Sequence, residues 1–267
     1  MLPQTKRLEE ELSLIELIEH RKFRPTNPVL IQGLPGLGLV GKIAVQYLID
    51  QYDPPLVATI VSDLIPLPDG SAGVRVEEED LRLASIDIYH LKREGSKRDV
   101  LLMTSEAQPV PWGQFRIAER VISYARSLGV NLVLALGGYV PGSPRIKGVF
   151  ACSNDADLMK MLESYGVKRL GGGYVTGACG IIVGMAYIHE ISSACLLGTT
   201  GGSFPDPSAS KNVLMIVDKI IGGRTDFSEM DRMIEREREL MEELRRAARE
   251  VAEAEKPKEE TSLPYHM

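Results

Sequence analysis

Cysteine is scarce in this chain of 267 residues: Cys152, Cys179 and Cys195 are the whole complement. Three thiols so far apart in sequence cannot build a disulfide framework, and no CxxC or Cys/His spacing offers zinc a ligand set. A reducing, cytoplasmic setting fits them best. Histidine is nearly as rare. His20, His90, His189 and His266 fall in no HExxH or other metal spacing. No GxSxG nucleophile elbow is present either, so no metal and no catalytic residue is assigned. Basic charge is short as well. The 31 Lys and Arg against 37 Asp and Glu leave a net charge of −6, with a pI near 5.4. A general binder of phosphate backbones shows a basic face, so nucleic acid is a poor first partner. Long apolar runs are missing too. Those near 130–136 and 181–188 fall far short of the roughly 20 residues of a membrane span, which argues against a membrane partner. The opening residues lack the apolar core of a signal peptide, and no repeat recurs at a fixed period.

What remains is the composition of an ordinary soluble globular protein, 44% hydrophobic and 25% charged. Leu8, Leu12, Ile15 and Ile18 stand near helical spacing and predict a short N-terminal helix over about 8–20. Apolar runs at 29–31, 56–61, 100–104, 130–136 and 193–197 read as buried strands. Residues 81–91 alternate and read as one strand with a solvated face. Helical patterns fill 112–128, 155–165, 177–189 and 208–221, two of them closed by Gly129 and Gly166. Ser208 or Ser210 is the expected cap of the helix that ends at 221. Strands alternating with helices predict an α/β domain over 1–225, with a mostly parallel sheet covered on both faces. A charged amphipathic helix follows over 226–256, with a near-heptad stripe that fits its own domain or a partner equally well. A flexible tail follows over 257–267 and ends in an aromatic-apolar tip.

One loop carries a recognisable pattern. Gly36-Leu-Gly38-Leu-Val-Gly41 satisfies GxGxxG between a strand and a helix, and Lys42 extends it toward a Walker A motif. Ile43 stands where Walker A needs a hydroxyl for magnesium. Asp63, after the second of these strands, falls near the spacing at which an acid would hold a cofactor ribose. The simpler reading is structural: Gly33, Gly36, Gly38 and Gly41 allow a tight turn and close helix–sheet packing. On that reading the chain has no cofactor. Glu106 after a core strand is a candidate base, and Cys179 at a helix start a candidate nucleophile, but neither has an assignable partner. Trp112 reads as an anchor at the start of its helix.

Asn27-Pro28-Val-Leu-Ile-Gln-Gly33-Leu-Pro35-Gly36-Leu-Gly38-Leu-Val-Gly41-Lys42 resembles the opening motif of the proteasome assembly chaperone 2 family, including its archaeal members. Thr104-Ser-Glu106-Ala-Gln108-Pro109, Ala135-Leu-Gly137-Gly138-Tyr139 and Gly177-Ala-Cys-Gly180 follow in order, so the resemblance covers roughly 25–222. It implies a three-layer α/β/α domain similar to nucleoside phosphorylases, assembly into homo-oligomers and no established catalysis. It also implies a chaperone that helps proteasome α subunits form their ring. Several proteins of this functional group dock through a C-terminal hydrophobic–tyrosine–any-residue tail, which implies partner-binding roles for Leu263, Tyr265, His266 and Met267. Here the tyrosine stands one residue early and Pro264 takes the hydrophobic position. The alternative is a nucleoside- or nucleotide-binding enzyme that uses the glycine loop at the strand ends.

Overall fold

The computed structural model describes residues 14–77, 80–92, 95–96 and 98–254. In chain order, β1 (Ile15–Glu19) and β2 (Val29–Gly33) precede helix α1 (Val40–Tyr52). Strands β3 (Leu56–Ser62), β4 (Val74–Glu77), β5 (Asp80–Leu83), β6 (Ser85–Leu91) and β7 (Val100–Ser105) lead to α2 (Gln114–Ser127). Then come β8 (Leu132–Tyr139), β9 (Val149–Ser153), α3 (Ala156–Ser164), β10 (Lys168–Arg169) and α4 (Gly177–Ile188). Strand β11 (Ser192–Thr199), α5 (Pro207–Ile221) and the long α6 (Ser228–Ala254) close the described chain.

Nine strands form one sheet in the order β1-β3-β6-β7-β2-β8-β11-β9-β10. Its centre, β7-β2-β8-β11, is parallel throughout. These are the continuous apolar runs, buried on both faces because helices cover both. Alternate residues sort between the two layers. Val29 and Ile31 of β2 face a cluster that includes Val45 and Leu48 of α1 and Val213 and Val217 of α5. Leu30 faces the opposite cluster, with Ile122 of α2 and Ile182 of α4. The result is the expected α/β architecture of helix, sheet and helix. The flanks differ from it: β1-β3-β6-β7 and β11-β9 are antiparallel.

Three local expectations are corrected. Residues 15–19 form a strand paired antiparallel with β3, not a helix. Ile15 and Leu17 alternate onto the sheet's core face, whereas Ile18, which completed the helical spacing, is exposed. Residues 8–13 of that expected helix lie outside the described residues. The single strand over 81–91 is two strands in two sheets. Ala84 separates them, because β5 turns away to pair with β4. The cap of α5 is Asp206, whose carboxylate accepts from the Ala209 N–H at 2.8 Å, with Pro207 at the first helical position.

Candidate functional site

The glycine loop connects β2 to α1 at the carboxyl end of the parallel strands. Gly38 takes a φ of +61°, open to glycine without strain, and Leu39 follows at +51°. The sharp turn brings α1 hard against the sheet. A Cβ on Gly33 would overlap the Gly41 carbonyl oxygen and the Val45 side chain. A Cβ on Gly41 would overlap the Leu136 carbonyl oxygen of β8, and one on Gly138 that of Leu37. The loop's polar groups are also engaged. The Gly38 N–H donates to the Gly202 carbonyl at 3.3 Å, and the Gly38 carbonyl accepts from the Asp206 N–H at 2.8 Å. A phosphate cradle needs such amides free.

Lys42 does not turn toward the loop. Its Nζ lies 2.7 Å from Glu106 Oε1 and 3.3 Å from Gln46 Oε1. The pair borders a cavity of about 250 Å³ together with Arg75, Arg82, Asp87 and Tyr89. Asp63 takes no part. Strand β3, which leads to it, is separated from β2 by β6 and β7, whereas a dinucleotide fold places those two strands side by side.

A second cleft, of about 640 Å³, opens at the carboxyl ends of β2, β8 and β11 beside the first turn of α4. Gln108 holds its walls together. Its Nε2 donates to the Pro35 carbonyl, while its Oε1 accepts from the Ala178 N–H at 3.2 Å and from Gln114 Nε2 at 3.4 Å. One side chain therefore ties the glycine loop, the start of α2 and the start of α4. Gln32, Tyr139, Tyr174, Thr176 and Cys179 line this cleft, and of these only Cys179 was singled out by sequence as a reactive candidate. Nothing in the run Val-Leu-Ile-Gln marks Gln32 as a wall residue until β8 and α4 are placed around it.

The three cysteines, far apart in sequence, converge beneath this cleft. Cys152 and Cys195 stand opposite each other in the β9–β11 register, and Cys195 Sγ donates to the Cys179 carbonyl at 3.4 Å. All three are free. The hydrogen bond with Cys195, and then burial, push the Cys152 thiol well up, which keeps it protonated and poorly nucleophilic. Trp112 lies in the turn before α2 and is exposed. On α6, Met230 is buried and Met233 and Ile234 pack on the core, whereas Leu240 and Leu244 further along are exposed. The apolar stripe thus serves the domain at its start and leaves it midway. No group of three or more His, Cys, Asp or Glu among the described residues could hold a metal ion. No helix among them is long and apolar enough to cross a membrane. Leu263, Tyr265, His266 and Met267 lie outside the described residues.

The model of the PAC2 family matches residues 30–248, from the second strand into the last helix. The chain belongs to the PAC2 family. A protein of the same family's fold, Pyrococcus furiosus PbaA, an archaeal homolog of proteasome-assembly chaperone, superposes with a TM-score of 0.71 at 26% identity. That match covers 90% of this chain and 96% of PbaA. Pyrococcus furiosus PbaB, an archaeal proteasome activator, gives a TM-score of 0.78 at 24% identity, covering 86% of this chain and 98% of its own. The Methanocaldococcus jannaschii protein MJ1210 is 27% identical over 245 residues, 90% of this chain and 92% of that relative. PAC2 membership thus spans the glycine loop, both cavities and most of α6.

Proposed function

We propose that this PAC2 protein is a non-enzymatic chaperone that binds proteasome α subunits and assists assembly of the core-particle ring. The observation that carries the reading is the match to PbaA, described as a homolog of proteasome-assembly chaperone, over 90% of this chain. The site geometry supports it. The glycine loop has a packing role at each close approach, and we read Gly33, Gly36, Gly38, Gly41 and Lys42 as structural rather than cofactor-binding. Large apolar side chains stand in water instead: Trp112, Phe115, Tyr187, Ile188 and Phe204 are each more than half exposed. A monomer gains little from displaying them, and they suit contacts with further copies of the chain or with a client. We assign docking to the C-terminal residues Leu263, Tyr265, His266 and Met267. The test is direct mixing with free α subunits at micromolar concentration, read by light scattering. A defined complex is expected. Independent elution of the two proteins contradicts the reading.

A further inference from the structure

We propose that the three cysteines beneath the cleft form an oxidation site, at which a peroxide joins Cys179 to Cys195 in a disulfide that fastens the first turn of α4 to β11.

Placement supplies the first argument. The chain has 3 cysteines in 267 residues, and the fold brings all of them together on one face of the sheet, from β9, α4 and β11. Cys195 is the central one. It stands opposite Cys152 in the strand register, and its Sγ donates to the Cys179 carbonyl at 3.4 Å. Its sulfur is also in hydrogen-bonding contact with the sulfurs of both neighbours. Gly137 of β8 leaves bare backbone beside them: a Cβ there would lie 3.5 Å from Cys179 Sγ. Sulfurs already in contact can bond without the backbone movement that a distant pair requires.

Access supplies the second argument and sets the order of events. Cys179 lines the cleft of about 640 Å³ and is only partly buried, so a small oxidant dissolved in water meets it first. Cys195 is 1% exposed and approaches Cys179 from beneath. Burial does not hinder it, because its reaction partner is a neighbouring side chain rather than a dissolved molecule. Cys152 does not line the cleft, and its hydrogen bond with Cys195 holds its thiol in the protonated form.

With hydrogen peroxide as the oxidant, the reaction takes two steps. The Cys179 sulfur attacks one peroxide oxygen. The S–O bond forms as the O–O bond breaks, and the thiol proton leaves with the other oxygen as water. Cys179 is now a sulfenic acid. The Cys195 sulfur then attacks the Cys179 sulfur. The S–S bond forms as the S–O bond breaks, and the departing hydroxide takes the Cys195 proton as a second water. Each sulfur gives up one electron, and the peroxide is reduced to water by the pair. An added thiol reverses the change by exchange.

The test treats the full chain, reduced and then freed of reductant, with hydrogen peroxide under native conditions. Digestion without reduction, followed by mass spectrometry, maps the thiols. A linked pair of peptides carrying Cys179 and Cys195 is expected, with Cys152 still free and dithiothreitol restoring all three thiols. The bond closes a loop of about 15 residues, so the oxidised protein should melt about 5–10 °C above the reduced one. Cys152→Ala should still form the bond. In Cys195→Ala, Cys179 should gain one oxygen and then a second, because no partner captures the sulfenic acid. The map of the parent decides the matter even where a variant fails to fold. Three thiols that stay free overturn the proposal. So does a parent in which Cys179 gains two oxygens while Cys195 stays free, and so does a link confined to Cys152 and Cys195. A linked protein that melts no higher than the reduced one overturns the fastening of α4.

Discussion

Lys42 Nζ sits 2.7 Å from Glu106 Oε1, joining the start of helix α1 to the segment just after strand β7. The two partners are unequally buried: the lysine side chain is 13% exposed and the glutamate 53%. Removing Glu106 leaves a largely buried ammonium with, among the described residues, the Gln46 amide as its hydrogen-bond partner, whereas removing Lys42 releases a carboxylate that water can reach. Glu106→Ala should therefore cost about 1–2 kcal/mol, and Lys42→Met under about 1 kcal/mol. Urea unfolding of the two variants measures the asymmetry. Equal losses would mean that the pair is solvated from both sides.

Two helical glycines should respond in opposite directions to the same methyl group. In α1, a Cβ on Gly41 overlaps the backbone oxygen of Leu136, which cannot give way without moving β8. Gly41→Ala should cost about 3 kcal/mol. In α4, Gly184 has no atom within 4 Å of its Cβ position, and Gly184→Ala should stabilise by about 0.5–1 kcal/mol. Thermal melts of the pair check both signs.

Asp155 caps α3 and reaches across to β11. Its carboxylate accepts from Ser192 Oγ at 2.7 Å, from the Asp157 N–H at 2.9 Å and from the Leu158 N–H at 3.1 Å. The Ser192 hydroxyl, with the Leu158 and Asp157 amides, holds its pKa below the ordinary 3.8. Glu119 is likewise held below 4.5, first by the hydrogen bond with His189 and then by Ser123. A depressed carboxylate stabilises the fold above its unfolded pKa, and that contribution disappears as pH falls through the folded value. Stability should therefore fall as the pH drops below about 4.5 and Glu119 and Asp155 protonate. Asp155→Ala should cost about 1 kcal/mol near neutral pH through loss of the cap. The gap between this variant and the parent should close in acid. Unfolding curves over a pH series measure it.

The C-terminal residues carry the docking proposal. Truncation after Thr261 should leave the melting temperature and the oligomeric state, whichever it is, unchanged and strongly weaken capture of α subunits. Tyr265→Ala should reproduce most of that loss, since an aromatic anchor in a pocket is worth about 2 kcal/mol or more. Undiminished capture by the truncated chain would remove the tail from the mechanism.

Much of this fold was legible because buried strands write themselves as apolar runs. Val29–Ile31, Val100–Thr104 and the core of Leu132–Tyr139 stand out for that reason. Edges were harder. In β1, Ile15 and Ile18 imitate a helical stripe, and only the pairing with β3 shows that Ile15 and Leu17 are the inward pair. Most of β5 hid inside the alternating run over 81–91, because alternation does not say which sheet a strand joins. Ser208 and Ser210 have the chemistry of a cap but stand inside the helix, and Pro207 at the first helical position marks Asp206 as the boundary. The family was legible in the motif Gly33 to Lys42, yet the roles of its residues were not. The clashes that a Cβ would meet at Gly33, Gly41 and Gly138 come from strands and turns remote in sequence. Gln32 and Cys179 likewise meet at one cleft only through the packing of α4 on β8.

The central claim is assistance to α-ring assembly. Its most direct measurement is native mass spectrometry of free proteasome α subunits over time, with and without the full-length protein. Complexes of this chain with incomplete sets of α subunits should appear first, and complete rings should then accumulate faster than in the control. An identical time course in both samples, with no mixed species at any point, would contradict the account.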